Sequence, residues 1–386
     1  MATAIKTKPG PFARLSAAGQ SVWLDFINRE ILVGGDLRRM IDDDGLLGMT
    51  SNPTIFDKAI SHGAAYDDDF SRLVSQGADA DAIYYALTSH DVSAALDLFR
   101  PVYDSTEGVD GYVSYEVSPL LAHDAKATTA EAKKLWDLTD RPNLMVKIPG
   151  TTEGLPAIEE SLFRGVNVNV TLLFGVDEYE AVAHTYVKAL KRRVDAGLPV
   201  DRIASVASFF VSRIDTEVDN RLSALIQKAS SPAVKAELES LMGKAAIANA
   251  KNAYAVYQKI FEGAEFAPLA AKGARVQRVL WASVGTKNPK YPDTYYIDEL
   301  IGPKTVSTMP PATYDAFKDH GKVRQSLTEK VEEAPAIIAR LNELGVDFRG
   351  VTDLLLDQGV KSFADSFHQL MDGIAKKRET LAGKAR

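Results

Sequence analysis

Short apolar runs alternate with longer amphipathic segments along most of this chain, and this alternation limits the folds that it can adopt. Strands that alternate with helices are typical of a parallel sheet. Eight such units favour a closed (β/α)8 barrel of the TIM type over an open, doubly wound sheet. We therefore predict an α/β protein built on a single TIM barrel. The predicted strands are Ser21–Asp25, Leu46–Ser51, Gly111–Val117, Leu144–Ile148, Val166–Leu173, Ile203–Phe210, Arg275–Ser283 and Thr305–Thr308.

Long helices are predicted between the strands and after the last one. The connection between the second and third strands is long and mostly helical, and it includes Asp81–Val102; another helix is predicted at Ala233–Glu262. In the tail, apolar residues recur with helical spacing, and we expect this stripe to pack on the barrel wall. The stripe consists of Val360, Phe363, Phe367, Leu370, Met371 and Ile374. We expect one domain over residues 1–386, with a barrel core at about 21–310 and a helical C-terminal extension at about 311–386.

The composition excludes several kinds of site. The 386 residues include no cysteine, which rules out a disulfide framework, a thiolate zinc site and a cysteine nucleophile. Six scattered histidines without a close pair make a metal site unexpected. No glycine-rich dinucleotide fingerprint follows any predicted strand, and there is no P-loop.

Charge and hydropathy narrow the choice of partners. The formal net charge of −7 argues against general nucleic-acid binding, which needs a basic face. The segment Met1–Leu15 lacks the apolar region of a signal peptide, and no apolar run reaches the length of a membrane span. We therefore expect a cytoplasmic protein that contacts neither nucleic acid nor membrane.

One lysine lies in an apolar run, Leu144-Met145-Val146-Lys147-Ile148-Pro149-Gly150. Burial of an ammonium group is costly, so desolvation would lower the pKa of Lys147 and favour the neutral amine. A neutral, positioned amine can form a Schiff base with a carbonyl substrate. Alternatively, the stem of Lys147 lies on apolar surface while its head reaches water.

Polar side chains also collect where other predicted strands end. Side chains alternate between the two faces of a strand, so Asn167, Asn169 and Thr171 share one face, which would point into a barrel. Alternatively, each of these polar residues stabilises a turn, caps a helix or belongs to a buried hydrogen-bond network between strands. Together they supply carboxylates, amides, hydroxyls and cations suited to carbonyl chemistry on a phosphorylated substrate. The other members are Asp25, Thr50, Asn52, Glu116, Ser208, Arg213, Ser283 and Lys287.

Six segments in this order resemble the transaldolases, and the resemblance runs from Ser21 to about Met309. They are Thr50-Ser51-Asn52-Pro53-Thr54-Ile55-Phe56, Ser114-Tyr115-Glu116-Val117, Met145-Val146-Lys147-Ile148-Pro149-Gly150-Thr151, Asn167-Val168-Asn169-Val170-Thr171-Leu172-Leu173-Phe174, Ser208-Phe209-Phe210-Val211-Ser212-Arg213 and Trp281-Ala282-Ser283-Val284-Gly285-Thr286-Lys287-Asn288-Pro289. The last segment and the longer linkers are similar to the larger bacterial branch of that family.

The resemblance implies a Schiff-base mechanism with no metal and no organic cofactor. It makes Lys147 the nucleophile, Glu116 the general acid and base, and Asp25 the base that starts carbon–carbon cleavage. The transferred unit would be dihydroxyacetone, from sedoheptulose 7-phosphate to glyceraldehyde 3-phosphate, giving erythrose 4-phosphate and fructose 6-phosphate. This is a step of the non-oxidative pentose phosphate pathway. For the amine to stay neutral, we expect apolar packing beside Lys147 and a water between it and Glu116.

The resemblance also assigns the residues that hold the substrate. Asn52 and Asn169 would hold the three-carbon unit, with Thr171 near the water, and Thr50, Ser208 and Phe210 complete the predicted substrate-binding set. Arg213 matches the phosphate arginine of the family and Ser283 a serine donor. A second arginine of the shorter members is replaced here, and Lys287 is the nearest cation. Lys287 is either a phosphate ligand or a solvated loop lysine, since lysine lacks the bidentate fork of arginine.

Two alternatives remain open. A fructose-6-phosphate aldolase would use the same lysine but release free dihydroxyacetone; the apolar ring of Phe210 favours transfer because it limits access of water. A non-catalytic barrel would bind sugar phosphates without turning them over, but both Lys147 and Asp25 are present. The expected partners are phosphorylated ketoses and aldoses, and the expected assembly is a monomer or homodimer.

Overall fold

The computed structural model describes residues 10–62 and 64–384, and the described residues form eight β-strands. They are β1 (Gln20–Asp25), β2 (Gly48–Thr50), β3 (Tyr112–Glu116), β4 (Leu144–Pro149), β5 (Val168–Leu173), β6 (Ser205–Phe210), β7 (Arg278–Ala282) and β8 (Thr305–Met309). Each strand pairs in parallel with the next, and β8 pairs with β1 to close the barrel. The predicted α/β barrel and all of its strands are confirmed.

The same described ranges contain seventeen α-helices, most of which surround the barrel. They are α1 (Pro11–Ala17), α2 (Arg29–Val33), α3 (Asp36–Asp42), α4 (Pro53–His62), α5 (Asp67–Ser75), α6 (Ala80–Ser105), α7 (Ala125–Thr139), α8 (Gly154–Phe163), α9 (Val176–Asp195), α10 (Ser212–Lys228), α11 (Pro232–Leu241), α12 (Ala245–Phe261), α13 (Ala267–Ala270), α14 (Tyr295–Asp298), α15 (Pro311–His320), α16 (Glu333–Glu343) and α17 (Phe348–Lys384). Short 3-10 turns occur at Ala64–Tyr66, Pro119–Leu121 and Ser326–Thr328.

Several strands are shorter than predicted because a residue joins a barrel strand only where a neighbour pairs with it. Strand β2 begins at Gly48 rather than Leu46. The backbone N–H of Leu46 donates to the carbonyl of Met40 in α3, so this residue belongs to the turn before the strand. Strand β7 likewise begins at Arg278, where its pairing with β6 starts.

The predicted helix over Ala233–Glu262 is wrong as one element, because it is broken into α11 and α12. Gly243 lies in the break with a φ of +71°, a left-handed conformation that favours glycine. A Cβ at this position would come within 2.8 Å of the ring of Tyr291, so space as well as backbone conformation calls for glycine. The chain at the break is held against the first half of α10, where Asp219 and Asp215 accept the backbone N–H groups of Gly243 and Ala246.

The extra helices predicted between β2 and β3 are present as α4, α5 and α6. The C-terminal helix α17 is 37 residues long and packs against α4, α5, α6 and α10. Four residues of its apolar stripe are buried and Val360 and Met371 are partly buried, but the helix lies mainly against these helices rather than on the barrel wall. It approaches the barrel where Gly359 faces Leu172, at the carboxyl end of β5. This helix therefore crosses the same end of the barrel at which the polar strand termini meet.

Candidate active site

A cavity of about 390 Å³ opens at the carboxyl ends of the strands, where barrel active sites lie. It brings together most of the residues singled out from the sequence. Its lining includes Asp25, Thr50, Asn52, Lys147, Thr171, Ser208, Phe210, Arg213, Ser283 and Lys287. Glu116 and Asn169 are buried in the same region but are not part of the lining. The parity of side chains along the strands thus predicts one connected site.

Lys147 and Glu116 form a direct ion pair, which corrects the expectation of an intervening water. The Nζ of Lys147 lies 3.0 Å from Oε2 of Glu116, and the side chains are only 5% and 3% exposed. The pairing register explains the contact, because Glu116 of β3 lies directly beside Lys147 of β4 and both point into the barrel. Nζ also donates a hydrogen bond to the carbonyl of Ser51 at 3.1 Å. The apolar neighbour expected beside the amine is Phe363, whose ring centre lies 5.6 Å from Nζ.

The environment of Glu116 prepares it to take a proton. Burial raises its pKa, an effect that the positive charge of Lys147 opposes and the negative charge of Asp25 supports. Among the described residues, neither carboxylate oxygen accepts a hydrogen bond of good geometry, so the contact with Lys147 is mainly ionic. A proton can be exchanged between the two side chains directly across this contact.

The second carboxylate, Asp25, closes β1 and faces the cavity. Its Oδ1 accepts a hydrogen bond from the hydroxyl of Thr50 at 2.6 Å, and Thr50 lies 2.8 Å from the hydroxyl of Thr308. Asp25 is partly accessible from the cavity, yet desolvation raises its pKa against the lowering effects of Lys147, Thr50 and Lys287. Asp25 and Glu116 thus have raised pKa values but different partners, so they can serve different proton transfers.

Asn169 links three strands below the cavity. Its Nδ2 donates to the hydroxyl of Ser114 at 2.9 Å, and its Oδ1 accepts from the hydroxyl of Ser208 at 2.7 Å. Register places Asn169 of β5 beside Lys147 of β4. The buried network that the sequence left open is therefore present, and direct contact of Asn169 with a substrate stays a prediction.

Asn52 and Thr171 line opposite parts of the wall. Oδ1 of Asn52 accepts the backbone N–H of Ile55 at 3.0 Å and so caps the start of α4, a structural role beside the predicted binding role. The hydroxyl of Thr171 is buried without a hydrogen-bond partner among the described residues. Its neighbour Leu172 has a φ of +63°, an unusual conformation at the point where the register between β5 and β6 shifts, before pairing resumes at Leu173.

Cations gather at the β6–β7 side of the cavity. Arg213 is the second residue of α10, and its guanidinium carbon lies 5.6 Å from the ring centre of Phe210; desolvation lowers the pKa of Arg213. Ser283 follows β7 with a φ of +54°, and its hydroxyl lies 3.0 Å from that of Ser212. Lys287 is exposed at the cavity and close enough to lower the pKa of Asp25. A cavity that is lined by both a buried amine and these cations suits a substrate that carries a carbonyl group and an anion.

The sequence matches the family described as transaldolase/fructose-6-phosphate aldolase over residues 22–374. The chain belongs to this family. It is 48% identical to a protein named transaldolase from Parafrankia sp. (strain EAN1pec) over 376 residues, which are 97% of this chain and 99% of that protein. A transaldolase from Acidothermus cellulolyticus is 48% identical over 370 residues, 96% and 97% of the two chains. A protein named transaldolase 2 from Nostoc sp. is 44% identical over 367 residues, 94% and 96% of the two chains.

The cavity of this transaldolase-family chain is also lined by residues that were not predicted as site residues, among them Thr308, Lys58 and Phe363. Thr308 ends a predicted strand, so the parity rule applied to the last strand would have found it. Lys58 lies in the second turn of α4, and nothing in its local sequence distinguishes it from a surface lysine. Phe363 comes from α17, more than two hundred residues after the lysine that it faces, so only the tertiary fold brings it to the site.

Two other kinds of feature are absent from the described ranges. No group of three or more histidine, aspartate or glutamate side chains there is arranged to hold a metal ion. No helix in the described part of the chain is both long and apolar enough to cross a membrane.

Proposed function

We propose that this protein is a transaldolase that carries a dihydroxyacetone unit on Lys147 from a ketose phosphate to an aldose phosphate. One observation carries the proposal: a buried amine lies 3.0 Å from a buried carboxylate, at a cavity that is also lined by Arg213 and Lys287. The membership of the transaldolase/fructose-6-phosphate aldolase family supports the reaction class.

The first step joins the substrate to the enzyme. The ammonium of Lys147 passes a proton to Glu116, whose pKa burial has raised. The free amine then adds to the keto carbon, and Glu116 returns the proton to the hydroxyl that leaves as water. The product is an iminium ion between Nζ and the substrate.

The second step breaks a carbon–carbon bond. Asp25 takes the proton of the hydroxyl on the β-carbon, and the electron pair of the bond between the α- and β-carbons moves to the iminium nitrogen. The aldose phosphate leaves as an aldehyde, and the three-carbon unit stays on Lys147 as an enamine. The contact with Thr50 at 2.6 Å orients the Asp25 carboxylate for this transfer.

The third step reverses the chemistry on a new aldehyde. The enamine carbon attacks the acceptor, Asp25 returns the proton to the new hydroxyl, and hydrolysis releases the product ketose from Lys147. Asn52, Thr171 and Ser208 would hold the three-carbon unit, while Arg213, Ser283 and Lys287 would bind the phosphate of each substrate in turn. The proposed donor and acceptor are sedoheptulose 7-phosphate and glyceraldehyde 3-phosphate.

Phe210 and Phe363 favour transfer over release of free dihydroxyacetone. Both aromatic side chains line the cavity, and both are at least nine-tenths buried. They restrict the access of water to an enamine on Lys147, whose fate then depends on an arriving aldehyde. A fructose-6-phosphate aldolase, the alternative within the same family, would let water or a proton complete the reaction.

An acceptor-dependence assay separates the two activities. Fructose 6-phosphate is supplied with and without erythrose 4-phosphate, and both free dihydroxyacetone and sedoheptulose 7-phosphate are measured. A transaldolase turns over only when the acceptor is present. Turnover at the same rate without acceptor, with release of dihydroxyacetone, would establish the aldolase instead. We further propose that the reaction takes place in the cytoplasm and that the protein acts as a monomer or homodimer.

A further inference from the structure

The loop between β7 and α14 carries Lys287, and its two ends are fastened to helix α10, which carries Arg213. The near end joins α10 at its first residue. The backbone N–H of Ser212 donates to the carbonyl of Ser283 at 3.0 Å, and the two hydroxyls lie 3.0 Å apart. The position of Ser283 is therefore tied to the residue that precedes Arg213.

The far end of the loop joins α10 two turns later. The hydroxyl of Tyr291 donates to Oδ2 of Asp219 at 2.5 Å, and Oδ1 of Asp219 accepts the backbone N–H of Gly243 at 3.0 Å. The hydroxyl of Tyr295 donates to the carbonyl of the same glycine at 2.9 Å. One carboxylate therefore fixes both the loop and the break between α11 and α12. We call Tyr291, Asp219 and Gly243 the loop clamp.

A tight turn connects the clamp to Lys287. The backbone N–H of Tyr291 donates to the carbonyl of Asn288 at 3.1 Å, and the side chain of Asn288 accepts the N–H of Lys290 at 3.0 Å. Lys287 immediately precedes this turn. Its backbone is thus held between the Ser283 contact on one side and the clamp on the other.

We propose that Tyr291, held by Asp219, is a positioning residue that keeps Lys287 at the cationic side of the cavity and so selects phosphorylated substrates. The inference rests on the proposed function, since it assigns Lys287 to the substrate phosphate. Lysine acts as a point charge without the geometric fork of arginine, so its contribution depends on where the backbone places it. On an unrestrained loop, an exposed lysine would occupy many positions in solvent. A loop that is fixed at both ends holds the backbone of Lys287 in one position.

Replacement of Tyr291 by phenylalanine tests this role with little change in packing. The ring still lies over Gly243 and beside the ring of Tyr295, whose centre is 5.6 Å away, but the bond to Asp219 is lost. We expect the KM for fructose 6-phosphate to rise by about fivefold to tenfold with kcat nearly unchanged, because the lost interaction affects binding. With unphosphorylated fructose as donor, kcat/KM should not change.

A matched control is Tyr257→Phe in α12. Its hydroxyl is buried without a hydrogen-bond partner in the described ranges, so its loss should leave both substrates unaffected. Lys287→Met provides the second half of a double-mutant cycle. If Tyr291 acts through Lys287, then Tyr291→Phe has no further effect on KM once Lys287 is methionine.

Binding of inorganic phosphate provides a test that needs no turnover. It is measured as the rise in Tm that phosphate causes. The rise should be clear in the wild type and in Tyr257→Phe, and smaller in Tyr291→Phe and Lys287→Met. Equal KM values for Tyr291→Phe and wild type, an equal loss with fructose, or no phosphate effect on the wild type would overturn the inference. If phosphate shifts Tm as expected but no dihydroxyacetone transfer occurs, the proposed function fails while the positioning role stands.

Discussion

In the proposed mechanism, transfer of a proton from Lys147 to Glu116 frees the amine to react. The pair is buried and only 3.0 Å apart, so a proton can move between the two groups without passing through solvent. The direct contact keeps the net charge of the site constant during that transfer, which limits the desolvation cost of forming a neutral amine. Glu116 is therefore expected to act in the formation and loss of the Schiff base rather than in bond cleavage.

Glu116→Gln should lower kcat by about a hundredfold, because an amide of similar size cannot take the proton from Lys147. The KM for the ketose should change little. The measurement is steady-state transfer from fructose 6-phosphate to erythrose 4-phosphate. A control is Glu131→Gln, because Glu131 is buried beside Tyr85 and the backbone of Ser118 rather than in the cavity. Wild-type kcat in the Glu116 variant would remove this residue from the mechanism.

The raised pKa of Asp215 predicts that the stability of the protein depends on pH, independently of catalysis. Burial raises its pKa from 3.8 to about 7, although it accepts hydrogen bonds from the N–H of Ala246 and the hydroxyl of Tyr296. A raised folded-state pKa means that the folded protein binds more protons between these values, so stability falls as pH rises from about 4 to about 7. The nearby charge of Asp219 acts in the same direction.

Asp215→Asn should remove this dependence, since asparagine imitates the protonated acid and can still bond to both partners. Between pH 5 and 8, the wild type should lose roughly 3 kcal/mol of unfolding free energy more than the variant does. Urea unfolding at the two pH values measures the difference. Parallel losses in the two proteins would show that Asp215 is not the group responsible.

Alternation along a strand predicted that Asn169 and Thr171 face the barrel interior, and Lys147 was identified from its apolar run. Arg213 and Lys287 lie beyond the strands, so their predicted roles came from the family resemblance. The contact between Lys147 and Glu116 could not be predicted in the same way. It depends on the register between β3 and β4, which pairs these two positions and which no local pattern encodes. The role of Asn169 as a link between Ser114 and Ser208 depends on register for the same reason.

Helix α17 contributes to the site as well as to the scaffold. Thr54 of α4 and Ser366 of α17 share a hydrogen bond of 2.8 Å, and Phe363 lies one turn earlier on the cavity side. Lys377 and Arg378 fasten the distal part of the helix to Asp67 and to the carbonyl of Ala78. The helix is therefore anchored at several points and presents one aromatic ring to Lys147.

Phe363→Ala should raise the fraction of enamine that is released as free dihydroxyacetone instead of being transferred. The loss of the ring opens the space beside Lys147 to water, and the cavity also costs about 3 kcal/mol of stability. The measurement is the ratio of dihydroxyacetone to sedoheptulose 7-phosphate formed at a fixed erythrose 4-phosphate concentration, well below the Tm.

Phe367→Ala is the matched control, because Phe367 is on the same helix but packs edge-on against Tyr84 with ring centres 5.4 Å apart. It should lose similar stability without a change in the product ratio. A shift of the same size in both variants would mean that helix loosening, rather than the Phe363 ring, controls access of water.

Periodicity predicted the stripe of α17 and its burial, but it could not say which surface the stripe covers. Helical spacing identifies a buried face and contains no information about its partner. The break at Gly243 was missed for a related reason: alanine-rich segments on both sides read as one helix, and only the backbone conformation of the glycine separates them. Long-range packing thus accounts for both differences at the level of whole helices.

The two ends of the barrel carry different kinds of polar residues. A second cavity, of about 450 Å³, lies at the amino ends of the strands. There Arg278 bonds to Asp110 at 2.9 Å and to the hydroxyl of Ser21 at 2.7 Å, and Trp23 donates to the same aspartate. These charges are paired with one another, which is typical of the stabilising face of a TIM barrel. The residues proposed to react line the cavity at the opposite end.

The central claim is that Lys147 carries the three-carbon unit, and reductive trapping tests it most directly. The protein is incubated with fructose 6-phosphate and borohydride, digested, and analysed by mass spectrometry. Lys251 is a suitable internal control, since it is also largely buried but donates to the carbonyl of Glu329 at 2.5 Å, away from the cavity. The account predicts a reduced three-carbon adduct on Lys147, its absence in Lys147→Met and its persistence in Lys251→Met. An unmodified Lys147, or an adduct on another lysine, would contradict it.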